Sequence, residues 1–178
     1  SPKIPPLASI INGAVIAFAG DVPHKAAWSL SLWNGFLIFN MASWGLYLRG
    51  KKFALFCVLI SAFSPFLFHL RTDYVLELPL ISSVTFYLFH LGRWSDESTG
   101  GKWIQLIIAS LACASSLLIK QSSLLVILPS LLFIFILSFK RDKIFRLQFL
   151  CLILINLLAI LPWFYHNWIM ILSGTYRA

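Results

Sequence analysis

The chain has 178 residues, enough for one or two soluble domains, but 60% of them are hydrophobic and only 11% charged, with a mean hydropathy of +0.87. An ordinary globular domain is about 45–50% apolar and about 25% charged, so this composition points to lipid as the solvent. It excludes a secreted disulfide scaffold, a DNA-binding domain and a disordered chain. The net charge of +8, from 14 basic and 6 acidic residues, sits in short clusters between apolar runs. That is the pattern of membrane-protein loops and not of a nucleic-acid-binding stripe.

In chain order, the first apolar run is Leu7–Ala19, behind Pro5 and Pro6. It is too short to span comfortably, because a spanning helix takes about 20 apolar residues. Longer runs follow at 26–48, 53–70, 74–91, 103–119, 122–139 and 147–165. In lipid every backbone polar group must be paired, which leaves helices or closed barrels. Stretches such as "LLVILPSLLFIFILSF" lack the alternation of a barrel strand. The expectation is therefore all-α: one membrane domain over 1–178, a polytopic bundle of spanning helices with a short interfacial helix at 7–19. The abrupt start at Ser1 is read as that of a piece of a longer chain. No signal peptide is recognised.

Lys and Arg set the expected orientation. Arg49, Lys51 and Lys52 lie in the first loop, Arg93 and Lys102 in the third, and Lys140, Arg141, Lys143 and Arg146 in the fifth. The alternate loops hold Arg71 and Lys120. The richer loops are expected in the cytoplasm and the others outside it. Leu7–Ala19 would then lie along the outer interface or re-enter there, with Ser9, Asn12 and Gly13 as a small, polar side.

The outer face collects the chemically interesting groups. Asp73 and Glu77 are four residues apart, so a helix puts both carboxylates on one side. Ionisable groups within membrane segments are costly and mark function by default. The ordinary alternatives are that Asp73 caps the helix and that Glu77 snorkels or pairs with Arg71. Lys120, in "SLLIKQSSLL", offers a cation to a lipid phosphate; its alternative is an interfacial lysine. His69, His90 and His166 lack metal-ligand spacing on a helix and read as satisfied or interfacial residues. Cys57, Cys113 and Cys151 read as small buried hydrophobes. Trp163, Tyr165 and Trp168 suit an aromatic belt. Pro65, Pro79, Pro129 and Pro162 suit kinks between packed helices. The chain contains no P-loop, dinucleotide fingerprint, nucleophile elbow or HExxH motif.

The order of features resembles the GT-C class of membrane glycosyltransferases, and above all the protein mannosyltransferase-like family (glycosyltransferase family 39), which includes the lipid A aminoarabinose transferases. The residues concerned are "SPKIPPLASIINGAVIAFAG", "HKAAWSLSLWNGFLIF", "YLRGKKFALFCVLISAFSPFLFHLRTDYVLELPL", "ASLACASSLLIKQSSLLVILP" and "LPWFYHNWIMILSG". Each motif is weak alone, and together they cover nearly the whole chain in the family's order. The resemblance implies transfer of a sugar, with inversion, from a polyprenyl-phosphate carrier to an acceptor glycan, lipid or protein on the outer face of a cell membrane. It implies a substrate-binding site that includes Lys3, Pro5, Pro6, Asp73, Glu77 and Lys120. The family often places a Lys directly beside its Pro-Pro pair; here Ile4 intervenes after Lys3, a departure from the pattern. The general base of the family is an acidic residue in an outer loop that would precede Ser1, so no residue of this chain is assigned as the base. The expected partners are membrane lipid and the lipid-linked sugar donor, with no nucleic acid, no assigned metal and no further cofactor.

Two rivals belong to other classes. A transporter or flippase would show interrupted helices in two related halves, a symmetry not found here. A non-catalytic membrane scaffold would tolerate changes at Asp73, Glu77 and Lys120. An acidic pair in an outer loop upstream of Pro5 would favour the enzyme.

Overall fold

A computed structural model describes residues 6–19, 23–72, 76–96 and 102–175, with side chains over 6–18, 28–70, 76–96 and 102–167. Among these residues every regular element is a helix. They are α1 (Leu7–Ala19), α2 (Pro23–Arg49), α3 (Lys51–Phe63), α4 (Pro65–Thr72), α5 (Glu77–Ser95), α6 (Lys102–Ile119), α7 (Leu124–Ser138) and α8 (Lys143–Thr175). A single 3-10 turn, Gln121–Ser123, leads into α7. The all-α architecture follows from composition: few residues outside the helices can satisfy backbone groups where water is scarce.

Three stretches among the described residues are long and apolar enough to cross a membrane: Lys102–Ile119, Gln121–Ser138 and Lys143–Asn167. These support a membrane protein by length and composition. The three earlier apolar runs differ from this pattern for local reasons. α2 has the length, but Ser29, Asn34 and Asn40 interrupt its apolar character. α5 carries Glu77, Ser82, Ser83, His90 and Arg93. The run at 53–70 is not one helix. It breaks at Ser64, whose extended backbone (ψ 121°) is the conformation favoured before a proline. Pro65 then opens α4, and the Ser64 hydroxyl lies 3.4 Å from the Leu67 amide as its cap.

α2 and α3 form a tight hairpin. Gly50 between them has φ +79° and ψ −167°, a region essentially restricted to glycine. Gly45 brings the two backbones together: a Cβ there would lie 2.7 Å from the Ala54 Cα. α5 and α6 make the most extensive helix pair. Their seam is built from small residues, with Ser83 and Ser116 hydroxyls 2.9 Å apart and Ala109, Ala112 and Cys113 buried. Close backbone approach through small side chains is how helices associate where the solvent is itself apolar.

Two apolar clusters divide the bundle. One joins Tyr87, Leu91, Trp94, Leu106, Phe145, Phe149 and their neighbours across α5, α6, α7 and α8. The other joins Ala8, Leu30, Trp33, Leu37, Leu70, Leu78 and Ile119, from α1, α2, α4, α5 and α6. The remaining surface is rich in exposed large hydrophobics, including Phe18, Phe63, Leu125 and Phe133. Such broad apolar exposure is foreign to a monomeric soluble domain and natural to one bathed in lipid.

Candidate functional site

The site is built at the end of the bundle where α5 begins and α6 ends. Glu77 opens α5, and acidic charge in a first helical turn is favoured by the helix dipole. α6 stops at Ile119, and Lys120 adopts an extended backbone (φ −156°, ψ 132°) before the 3-10 turn. The antiparallel packing of α5 on α6 brings the two together: the Lys120 ammonium donates to Glu77 Oε1 and forms an ion pair with it. Both side chains keep more than a third of their surface exposed, at 37% and 39%. The pair is therefore reachable from outside the fold. Glu77 and Lys120 satisfy each other, where the sequence offered Arg71 as the partner of Glu77.

α1 packs at this same end. Ala8 is fully buried, and Asn12 turns inward to accept a 3.0 Å hydrogen bond from the Trp33 indole. Ser9 and Gly13, grouped with Asn12 as a polar side, are exposed instead. A helix turns only part of its circumference to a neighbour, and here Ala8, Ile11 and Asn12 supply that part. Pro6 is half-buried just before α1. Lys3, Pro5 and Asp73 lie outside the described residues. The structure thus brings together Glu77 and Lys120, with α1 and Pro6 at the same end.

Behind the ion pair runs a set of buried polar contacts. The Ser82 hydroxyl donates to the Leu78 carbonyl (2.7 Å) and lies 2.9 Å from the Trp33 carbonyl; the Asn40 amide donates to the Ser82 carbonyl (3.1 Å). Deeper along α5, the Tyr87 hydroxyl meets Ser130 at 2.7 Å and His90 Nδ1 meets Gln105 Oε1 at 2.6 Å. These ties join α2, α5, α6 and α7. Their residues were not singled out from the sequence, apart from His90. The available signal was the presence of Asn40, Gln105 and Gln148 inside apolar helices, where an amide needs a partner on a neighbouring helix.

The opposite end gathers the basic loops. The Tyr47 hydroxyl on α2 bonds to the Asp96 carboxylate just after α5. Arg141 donates to the Ser95 carbonyl at 3.2 Å, and the Trp94 indole donates to Gln148 at 3.0 Å while stacking on Phe145. Asp142 caps α8 through the Phe145 amide at 2.9 Å. The ends of α2 and α5 and the α7–α8 turn therefore meet, and their cations with them.

Among the described residues, no group of three His, Cys, Asp or Glu side chains could hold a metal ion. The three cysteines are free. No family model, curated protein or solved structure matches the chain.

Proposed function

We propose that the chain is part of a multi-pass membrane glycosyltransferase that moves a sugar from a polyprenyl-phosphate carrier to an acceptor outside the cytoplasm. The observation that carries this reading is the exposed Glu77–Lys120 pair, held at the end of the bundle where α1 packs. The support from sequence is the order of the family-like motifs. A lipid-linked donor arrives sideways from the bilayer, so its site must adjoin apolar surface. α1 supplies that surface with Ile10 and Phe18, both largely exposed.

In this reading the acceptor hydroxyl attacks the anomeric carbon, the bond from that carbon to the carrier phosphate oxygen breaks, and the phosphate leaves with its electron pair. Lys120 offsets the charge that develops on the leaving phosphate. To do so it exchanges Glu77 for the phosphate, and the released Glu77 carboxylate is placed to accept hydrogen bonds from sugar hydroxyls. A base other than Lys3, Asp73, Glu77 and Lys120 removes the acceptor proton. Asp73 and Lys3 are proposed to line the same site on the strength of the resemblance.

The test is transfer from labelled polyprenyl-phosphate sugars by the full-length protein that contains this chain, with Lys120→Ala and Asp73→Asn as variants. Losing a preorganised charge stabiliser costs about 10²–10³ in rate, and Lys120→Ala is expected to fall in that range. Wild-type transfer by both variants would remove these residues from the site. Absence of transfer from every such donor would favour the scaffold reading.

A further inference from the structure

α7 and α8 are covalent neighbours that pack sparsely on each other, because α7 turns Ile127 and Ile134 into the core of the bundle. Between them lies an open groove of about 480 Å³. Its walls are apolar, with Leu128, Leu132 and Phe135 on one side and Leu150 and Ile153 on the other. Among the described residues Arg146 is the one charged residue of the lining, and it belongs to the first turn of α8, at the basic end. From Leu128 to Ser138 the α7 wall runs about 15 Å at the helical rise.

Charge decides the occupant. The turn beside the groove and the first turn of α8 carry Lys140, Arg141, Lys143 and Arg146 against a single acid, Asp142. Asp142 is engaged in capping α8, and Arg141 is held by Ser95 and lies over the Phe145 ring. Arg146 is exposed and lines the groove. An apolar trough lined by one cation, on the basic side of the bundle, matches a molecule with a hydrocarbon chain and an anionic head. We propose that this groove binds one acyl chain of an anionic phospholipid, with the lipid phosphate against Arg146. Basic pockets between membrane helices recognise anionic headgroups in this way. The site is at the opposite end of the bundle from Glu77 and Lys120 and does not depend on the proposed sugar transfer.

Native mass spectrometry of the detergent-solubilised full chain tests the proposal, with three probes: phosphatidylglycerol, phosphatidylcholine of the same acyl chains, and chainless glycerophosphoglycerol. One saturable phosphatidylglycerol adduct is expected, about fivefold tighter than phosphatidylcholine, the worth of one basic residue near an anionic head. Arg146→Gln should abolish that preference. Leu150→Trp, which fills the trough, should remove the adduct while helicity and melting temperature are kept. Equal binding of the two phospholipids would overturn the proposal, as would an unchanged preference in Arg146→Gln. Equal loss in Lys143→Gln would indicate diffuse attraction and overturn the placement. Binding of the chainless probe as tightly as the lipid would mean a phosphate-ester site in place of a lipid site. If Arg146→Gln does not fold, a retained adduct in Leu150→Trp overturns the proposal by itself.

Discussion

Glu77 and Lys120 are an ion pair whose weight in stability and in function should differ. Pairs this exposed contribute about 0.2–1 kcal/mol, since water and salt screen them and holding two long side chains costs entropy. Glu77→Gln is therefore expected to lower unfolding free energy by less than about 1 kcal/mol, measured by denaturant titration in micelles. A larger loss would mark the pair as a structural clamp and count against its place in a donor site. Buried polar atoms elsewhere behave differently. Asn40 donates to the Ser82 carbonyl, while its Oδ1 and the Arg93 Nε are buried without a hydrogen-bond partner among the described residues. The Arg93 guanidinium is placed against the rings of Tyr47 and Phe89, at 5.8 and 5.6 Å, where cation–π attraction compensates part of its lost hydration.

The α2–α3 hairpin rests on two glycines with separate duties. Gly50 provides the positive φ of the turn, and Gly45 the close crossing. Gly45→Val would drive side-chain atoms into the Ala54 backbone, with the Cys57 sulfur only 3.1 Å from the new Cβ. Overpacking of that kind costs about 1–3 kcal/mol, and the expected outcome is a matching fall in thermal or denaturant stability. A neutral Gly45→Val would mean that the hairpin is looser than described. The break at Ser64–Pro65 was visible as a proline inside an apolar run, and a kink was the natural expectation. What the run did not reveal was a full stop, with a second helix starting under its own serine cap. Pro129 and Pro162 lie inside α7 and α8, which continue past them, although each removes one helical N–H donor. Pro79 sits in the first turn of α5, where its missing N–H costs no helical hydrogen bond.

The bundle as a whole is polar in the sense of having two unlike ends. Arg49, Lys51, Arg93, Lys140 and Arg141 belong to one, and Lys120 with Glu77 and α1 to the other. In a cysteine-free background, Lys51→Cys and Lys140→Cys are expected to react with an impermeant thiol reagent from the same side of the membrane, and Ser122→Cys from the other. Labelling of positions 51 and 140 from opposite sides would contradict the arrangement of the helices. The charge pattern already implied such a grouping, because cations set orientation through the loops they occupy. Contacts such as Arg141 with Ser95 and Tyr47 with Asp96 supply its physical means.

The amino-acid sequence by itself determined helicity and an apolar environment. A chain that is 60% hydrophobic has too little polar surface to face water, and in lipid its backbone must pair within each segment. It also singled out Glu77 and Lys120, since ionisable groups among apolar residues are conspicuous. Tertiary structure alone decided that these two meet. They are 43 residues apart, and no local periodicity links them. The small-residue seam of α5 on α6 fixes their register, just as the sparse packing of α7 on α8 opens the groove that Arg146 lines. Both outcomes depend on how closely two helix surfaces approach, a property of paired surfaces that a single apolar run does not contain.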